Sequence, residues 1–153
     1  MAYHRSTFAE IDLHAFQHNL LNLKKHLAPQ TGIMAVVKAD AYGHGATPCA
    51  RKAVETGVDY LGVGVIEEGI ELRESGLTAP ILVLTSIFPD DAEDLVRHDL
   101  ATILCTPTLA KALSKEARKQ NKTVSVHIKV DTGMNRLGVS PEDLPDLLDQ
   151  VRS

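Results

Sequence analysis

The segment AVVKADAYGHG, residues 35–45, ends an apolar run on a lysine and follows it with a tyrosine and two glycines. Lysine is among the side chains least often fully buried, so Lys38 on a core-like run needs a reason. An ammonium withdrawn from water loses stability relative to the neutral amine, its pKa falls, and the amine becomes a nucleophile able to form Schiff bases with aldehydes. The plainer reading is a lysine at a strand end whose stem lies on apolar surface while its head reaches water. A second group sits further along. The run from Val124 places Ser125, His127, Lys129 and Asp131 at every second position, and the loop DTGMNRLG then brings in Arg136. The fixed fork of guanidinium donors suits a carboxylate or phosphate.

These residues need a scaffold. Apolar β-type runs begin at Ile33, Tyr60, Ile81, Ala101 and Val124, about 20 to 27 residues apart, and stretches with helical periodicity follow them. That spacing is what consecutive βα units give, and mostly apolar strands imply a parallel sheet covered on both faces. An open doubly wound sheet and part of an eight-stranded barrel both fit. No G-x-G-x-x-G follows the first strand, which weakens the dinucleotide-binding form of the open sheet. A complete barrel takes about 250 residues. A chain of 153 residues ending in LPDLLDQVRS therefore reads as the front part of a longer protein. Strand parity puts Ile33, Ala35 and Val37 on one face, and Met34, Val36 and Lys38 on the other. In the fifth run Val124, Val126, Ile128 and Val130 form the helix-covered row. The opposite, polar row would face the barrel mouth with Lys38.

Composition removes several function classes. With 44% hydrophobic and 24% charged residues the chain can bury one core as a single domain. A net charge of −4 and 4% aromatic residues leave neither a basic stripe for phosphates nor platforms for bases, so nucleic acid is not expected as a partner. No apolar stretch approaches the roughly 20 residues of a membrane span, and the N-terminus lacks a signal-like apolar region; a cytoplasmic protein without membrane partners is expected. Cys49 and Cys105 form no C-x-x-C pair and read as buried thiols. His14 and His18 share a helix face but lack the glutamate and third ligand of a zinc protease, so no metal is expected. The DTG triplet could be that of an aspartic protease, but such sites sit in β-rich folds and prefer a small residue where Met134 stands.

AVVKADAYGHG closely resembles the pyridoxal phosphate attachment segment of alanine racemases, and KVDTGMNRLG resembles their second signature. STFAEIDLHAFQHNLLNL and APILVLTS extend the match over essentially the whole chain, in order. The resemblance implies an α/β fold: an incomplete TIM-type (β/α)8 barrel of about five parallel βα units. Residues 1–13 would form an N-terminal strand pairing with a C-terminal β-domain outside this chain, so that the strand around Phe8 to Asp12 is orphaned. Residues 14–153 would be the N-terminal part of the cofactor-binding barrel. By the same resemblance, Lys38 carries the cofactor pyridoxal 5'-phosphate and serves as one of two racemising bases, and Tyr42 hydrogen-bonds its phosphate. Arg136 contacts its phenolic oxygen and helps hold the substrate carboxylate. Lys129 matches a lysine often carbamylated, the alternative being an unmodified lysine paired with Asp131 or another acid. His44 is expected to make a structural hydrogen bond, and Gly43 and Gly45 to take positive φ or allow close backbone approach. The implied activity is interconversion of L- and D-alanine for cell-wall precursors by a homodimeric enzyme. The second base and an arginine facing the pyridine nitrogen would lie beyond Ser153, leaving this chain inactive or barely active alone. A non-catalytic pyridoxal phosphate binding protein built as a lone barrel is the alternative.

Overall fold

The computed structural model describes residues 7–152. Residues 1–6 of the expected N-terminal strand lie outside the described residues, and residues 7–12 form no ladder, with the Phe8 ring exposed. A lone extended segment has no partner for its backbone groups within these residues, so no strand is defined there. Asp12 instead starts α1 (Leu13–His26), accepting from the backbone N–H of His14 at 2.8 Å and of Ala15 at 3.0 Å. Lys24, Lys25 and His26 crowd its last turn, where the helix dipole favours positive charge.

Five parallel strands follow: β1 (Met34–Val36), β2 (Tyr60–Val63), β3 (Ile81–Val83), β4 (Ala101–Leu104) and β5 (Val126–Ile128), in the order β1-β2-β3-β4-β5. The helical elements between and after them are α2 (Lys38–Gly43), α3 (Ala46–Glu55), α4 (Ile66–Glu74), α5 (Ala92–Arg97), α6 (Pro107–Lys119) and α7 (Leu144–Arg152). Every strand starts within two residues of its apolar run.

Strand order and curvature decide between the two architectures left open above. The strands pair strictly in sequence, without the reversal of order that defines a doubly wound sheet. Register puts Leu61 beside Ala35 and Ile81 beside Leu61. Together with Val37, Val63, Val83 and Leu104, these side chains form the core beneath the helices, joined by Ala50, Ala53, Leu72, Leu95 and Leu109. On the opposite face a smaller cluster of Leu82, Ala101 and Ile103 gathers Met34, Tyr60, Leu84 and Leu137. The rings of Tyr60 on β2 and His127 on β5 meet edge to face with centroids 5.8 Å apart. Three strand spacings on a flat sheet come to about 14 Å. The sheet therefore curls around its inner face as an arc of a barrel. Burial follows that shape, since β3 and β4 are buried throughout while Val36 on β1 and His127 on β5 are exposed. Cys49 is buried as expected, whereas Cys105, just past the end of β4, is only half-buried at the rim.

At the N-terminal end of the sheet, long cations close the helix C-termini. Lys24 Nζ donates to the carbonyls of Thr56 at 3.3 Å and Gly57 at 2.8 Å, and Arg51 Nη2 to Ser75 at 2.8 Å. Arg73 reaches four carbonyls: Nε to His98 at 2.9 Å, Nη1 to Leu77 at 2.9 Å and Ala79 at 2.7 Å, and Nη2 to Asp99 at 2.9 Å. Lys122 Nζ caps α5 through Val96 at 3.1 Å and Arg97 at 2.8 Å. Helix C-terminal carbonyls have no intrahelical donor, and these side chains supply one.

Candidate active site

The C-terminal ends of the strands carry the chemistry-bearing residues. Lys38 stands two residues past β1, on the inner-face parity expected from alternation, and the methylenes of its stem cross the second strand's glycine corner. A Cβ on Gly64 would lie 3.4 Å from Lys38 Cβ and 3.7 Å from Lys38 Cδ. One expectation is corrected. Lys38 is exposed rather than shielded, because five strands leave the concave face open along β1.

After Lys38 the backbone turns left-handed. Ala39, Asp40, Ala41 and Tyr42 have φ of 51–55° and ψ of 37–52°. For L-residues that hand costs about 1–2 kcal/mol each, less for Asp, whose short polar side chain bonds locally. Several bonds offset it. Ala41 N–H donates to Val37 O at 2.9 Å, and Gly45 N–H to Asp40 O at 2.9 Å. Asp40 Oδ1 accepts from Ala46 N–H at 2.6 Å, which serves the first turn of α3. His44 makes the structural bond expected of it, Nδ1 to Ala41 O at 2.9 Å, and Gly43 and Gly45 take positive φ of 84° and 91°. The turn leaves the Tyr42 ring 61% exposed, with its hydroxyl free of any partner among the described residues.

At the far edge of the sheet, Lys129 is half-buried and Arg136 exposed. Lys129 does not pair with Asp131. The Asp131 carboxylate turns into its own loop, where Oδ1 accepts from Gly133 N–H at 2.9 Å and Asn135 N–H at 3.1 Å. These backbone bonds hold its pKa below the ordinary 3.8, and the Lys129 charge adds a smaller push in the same direction. The loop closes where Val130 bridges Val139, with Asp131 N–H donating to Val139 O and Val139 N–H to Lys129 O, both at 2.8 Å. Gly138 makes that closure possible, since a Cβ there would lie 2.5 Å from the Asp131 nitrogen.

Lys38, Lys129 and Arg136 thus stand at one end of the arc, and none of their side chains has a hydrogen bond or ion pair among the described residues. An amine, a guanidinium and a phenol without partners form a donor set that fits an aldehyde cofactor carrying a phosphate. On the inner face of β2, Tyr60 joins the small cluster and Gly62 admits Leu84 Cδ1 and Met34 Sδ, each 3.1 Å from where a Cβ would stand, while Gly64 leaves room for the Lys38 stem. Among the described residues no three His, Cys, Asp or Glu side chains converge as metal ligands.

Glu68 is a part of this end that reading the sequence missed. At the third position of α4 its carboxylate accepts from Ala39 N–H through Oε1 at 2.7 Å, and from Gly64 N–H at 2.6 Å and Val65 N–H at 3.3 Å through Oε2. A glutamate three residues after the last strand-like residue of VIEEG is a capping signal. Its reach to the preceding βα unit is not encoded in that spacing.

Comparison with known proteins places this geometry. The profile of the alanine racemase N-terminal domain matches residues 11–153. An alanine racemase of Halothermothrix orenii is 46% identical over 149 residues, covering 97% of this chain and 39% of the relative. One from Symbiobacterium thermophilum is 45% identical over 140 residues, covering 92% and 37%. The chain spans about two fifths of the length of the curated relatives it matches. Among solved structures, alanine racemase of Clostridium difficile 630 in complex with cycloserine superposes with a TM-score of 0.91 at 34% identity, over 97% of this chain and 42% of that one. The Bacillus anthracis alanine racemase with bound L-Ala-P gives 0.90 at 33%, over 99% and 39%. Alanine racemases are pyridoxal 5'-phosphate enzymes. A match that runs from residue 11 to the last residue, in sequence and in fold together, settles descent: the chain belongs to the alanine racemase family.

Proposed function

We propose that this chain is the cofactor-bearing part of an alanine racemase, and that Lys38 is its attachment point and one of its two proton-transferring bases. The observation that carries this reading is the set of unpartnered donors at the C-terminal rim, Lys38, Tyr42 and Arg136, in a chain of this family. Pyridoxal 5'-phosphate, when bound, withdraws electrons from Cα of the amino acid and so makes its proton acidic.

The chain's own residues do the rest. Lys38 Nζ would hold the cofactor and, as a free amine once substrate is bound, would take or return the proton at Cα on one face. Tyr42 would donate its phenolic hydrogen to the phosphate. Arg136 would orient the cofactor's phenolic oxygen and the substrate carboxylate with its planar donors. Lys129 lies close enough to Asp131 for its charge to help lower that carboxyl's pKa, and in this reading its carbamylation would present Arg136 with a negative charge instead of a like one. Inversion needs a second base on the opposite face, supplied in this reading from outside residues 1–153 by the partner of a homodimer. The chain alone would bind the cofactor and turn over slowly or not at all. The complete enzyme would supply D-alanine for the cell wall from the cytoplasm.

The test is to incubate the chain with pyridoxal 5'-phosphate, reduce with borohydride and map the modified peptide by mass spectrometry. Label concentrated on Lys38 and lost in Lys38→Ala is the expected result. Label scattered over surface lysines such as Lys111 and Lys115 would overturn the assignment. Alanine racemisation, measured on the chain alone and joined to a family C-terminal half, then separates binding from turnover.

A further inference from the structure

The left-handed stretch Ala39–Tyr42 lacks a sequence-local cause. Two of its four residues are alanines, which gain nothing from that hand, and both glycines come after it. Its first N–H, that of Ala39, is taken by neither the turn nor the β1-β2 ladder but by Glu68 Oε1 at 2.7 Å. The other oxygen of the same carboxylate holds Gly64 N–H at 2.6 Å, and Gly64 is the residue over which the Lys38 stem lies. Gly64 is tied on its other side as well, its carbonyl accepting from Thr85 Oγ1 at 2.7 Å. One carboxylate therefore joins the peptide that leaves Lys38 to the peptide that supports its side chain.

We propose that Glu68 is the positioning residue of Lys38: by bridging the β1-α2 and β2-α4 loops it fixes the start of the left-handed turn, and with it the direction of the Lys38 stem and the exposure of Tyr42. Both oxygens must be acceptors, because N–H groups face each of them. A carboxylate meets that demand, and a glutamine amide does not, since its NH2 would confront an N–H on one side. The neighbouring Glu67, in the same first turn of α4, is exposed and carries the same helix-dipole charge without touching either loop. It separates the bridge from mere charge.

The inference rests on the reading of Lys38 as the cofactor lysine only where labelling is concerned, so the experiment has two arms. In the first, amide hydrogen exchange is followed by NMR on the whole chain. Ala39 and Gly64 should exchange about tenfold faster or more in Glu68→Ala, one of the two should do so in Glu68→Gln, and neither in Glu67→Gln. In the second, borohydride-trapped pyridoxal 5'-phosphate on Lys38 is compared with that on Lys111. The ratio should fall about tenfold in Glu68→Ala, with Lys111 labelling unchanged, and stay at the parent value in Glu67→Gln. Unchanged exchange at Ala39 in Glu68→Ala overturns the proposal, and so does faster exchange with an undiminished Lys38 ratio. If the parent chain shows no preference for Lys38, the cofactor reading fails on its own and the exchange arm still decides the bridge. Should Glu68→Ala not fold, the near-isosteric Glu68→Gln carries both arms.

Discussion

The two ends of the sheet solve the same electrostatic problem with opposite charges. At the N-terminal end, Lys24, Arg51, Arg73 and Lys122 donate to carbonyls at and just beyond helix C-termini. At the C-terminal end, Asp40, Glu68, Thr106 and Asp131 accept from loop and helix N–H groups. The βα repeat dictates this, because every helix runs antiparallel to its strand and presents its positive end where the strand finishes. The consequence for function lies in what is left over. Cations at the first end are consumed by the fold, while the side chains of Lys38, Lys129 and Arg136 at the second have no hydrogen bond or ion pair among the described residues. One end is built for stability, the other leaves donors that the proposed function assigns to a ligand.

Breaking the first end should be the costlier change. Arg73→Met removes the donor to four carbonyls and should lower stability by about 3 kcal/mol in urea unfolding, with Lys38 labelling retained in the folded fraction. A loss under about 1 kcal/mol would erase the contrast between the ends. Next in size is Gly138→Ala, which drives a Cβ to 2.5 Å of a backbone nitrogen at a φ of 139°. It should cost about 2 kcal/mol, concentrated in the Asp131 loop, with faster exchange at Asp131 and Val139 N–H. An effect spread evenly over the chain would show that this loop is not a separable part of the site.

The smallest expected effect is a pH response. Backbone bonds from Gly133 and Asn135 lower the Asp131 pKa, so the folded carboxyl binds its proton more weakly than the unfolded one. Its contribution to loop order is therefore present above the ordinary aspartate value and is lost as pH falls through the lower folded value. The amide resonances of Gly133 and Asn135 should titrate together with a midpoint below 3.8. A midpoint at or above that value would mean the carboxylate does not hold the loop.

Much of the scaffold could be read from the chain directly. Period-two alternation assigned Ile33, Ala35 and Val37 to the helix side and Lys38 to the inner side, and the structure keeps that assignment. The positive φ of Gly43 and Gly45 and the His44 bond were expected on the family resemblance, and both are local to the turn. Shielding of Lys38 was not legible in the chain, since it depends on how many strands close around it. Nor was the use of Asp131, which stood as one alternative partner for an unmodified Lys129 and which the loop backbone took instead.

Alternation and spacing, which need only the pleat and the helical turn, were enough to determine five βα units and the face on which Lys38 stands. The hand of the turn after Lys38 was decided elsewhere. Local preference at Ala39 and Ala41 favours the right-handed form by about 1–2 kcal/mol each. Only an acceptor arriving from the next βα unit, Glu68 against Ala39 N–H, meets the turn where it begins, and that acceptor comes into reach only once β1 and β2 have paired.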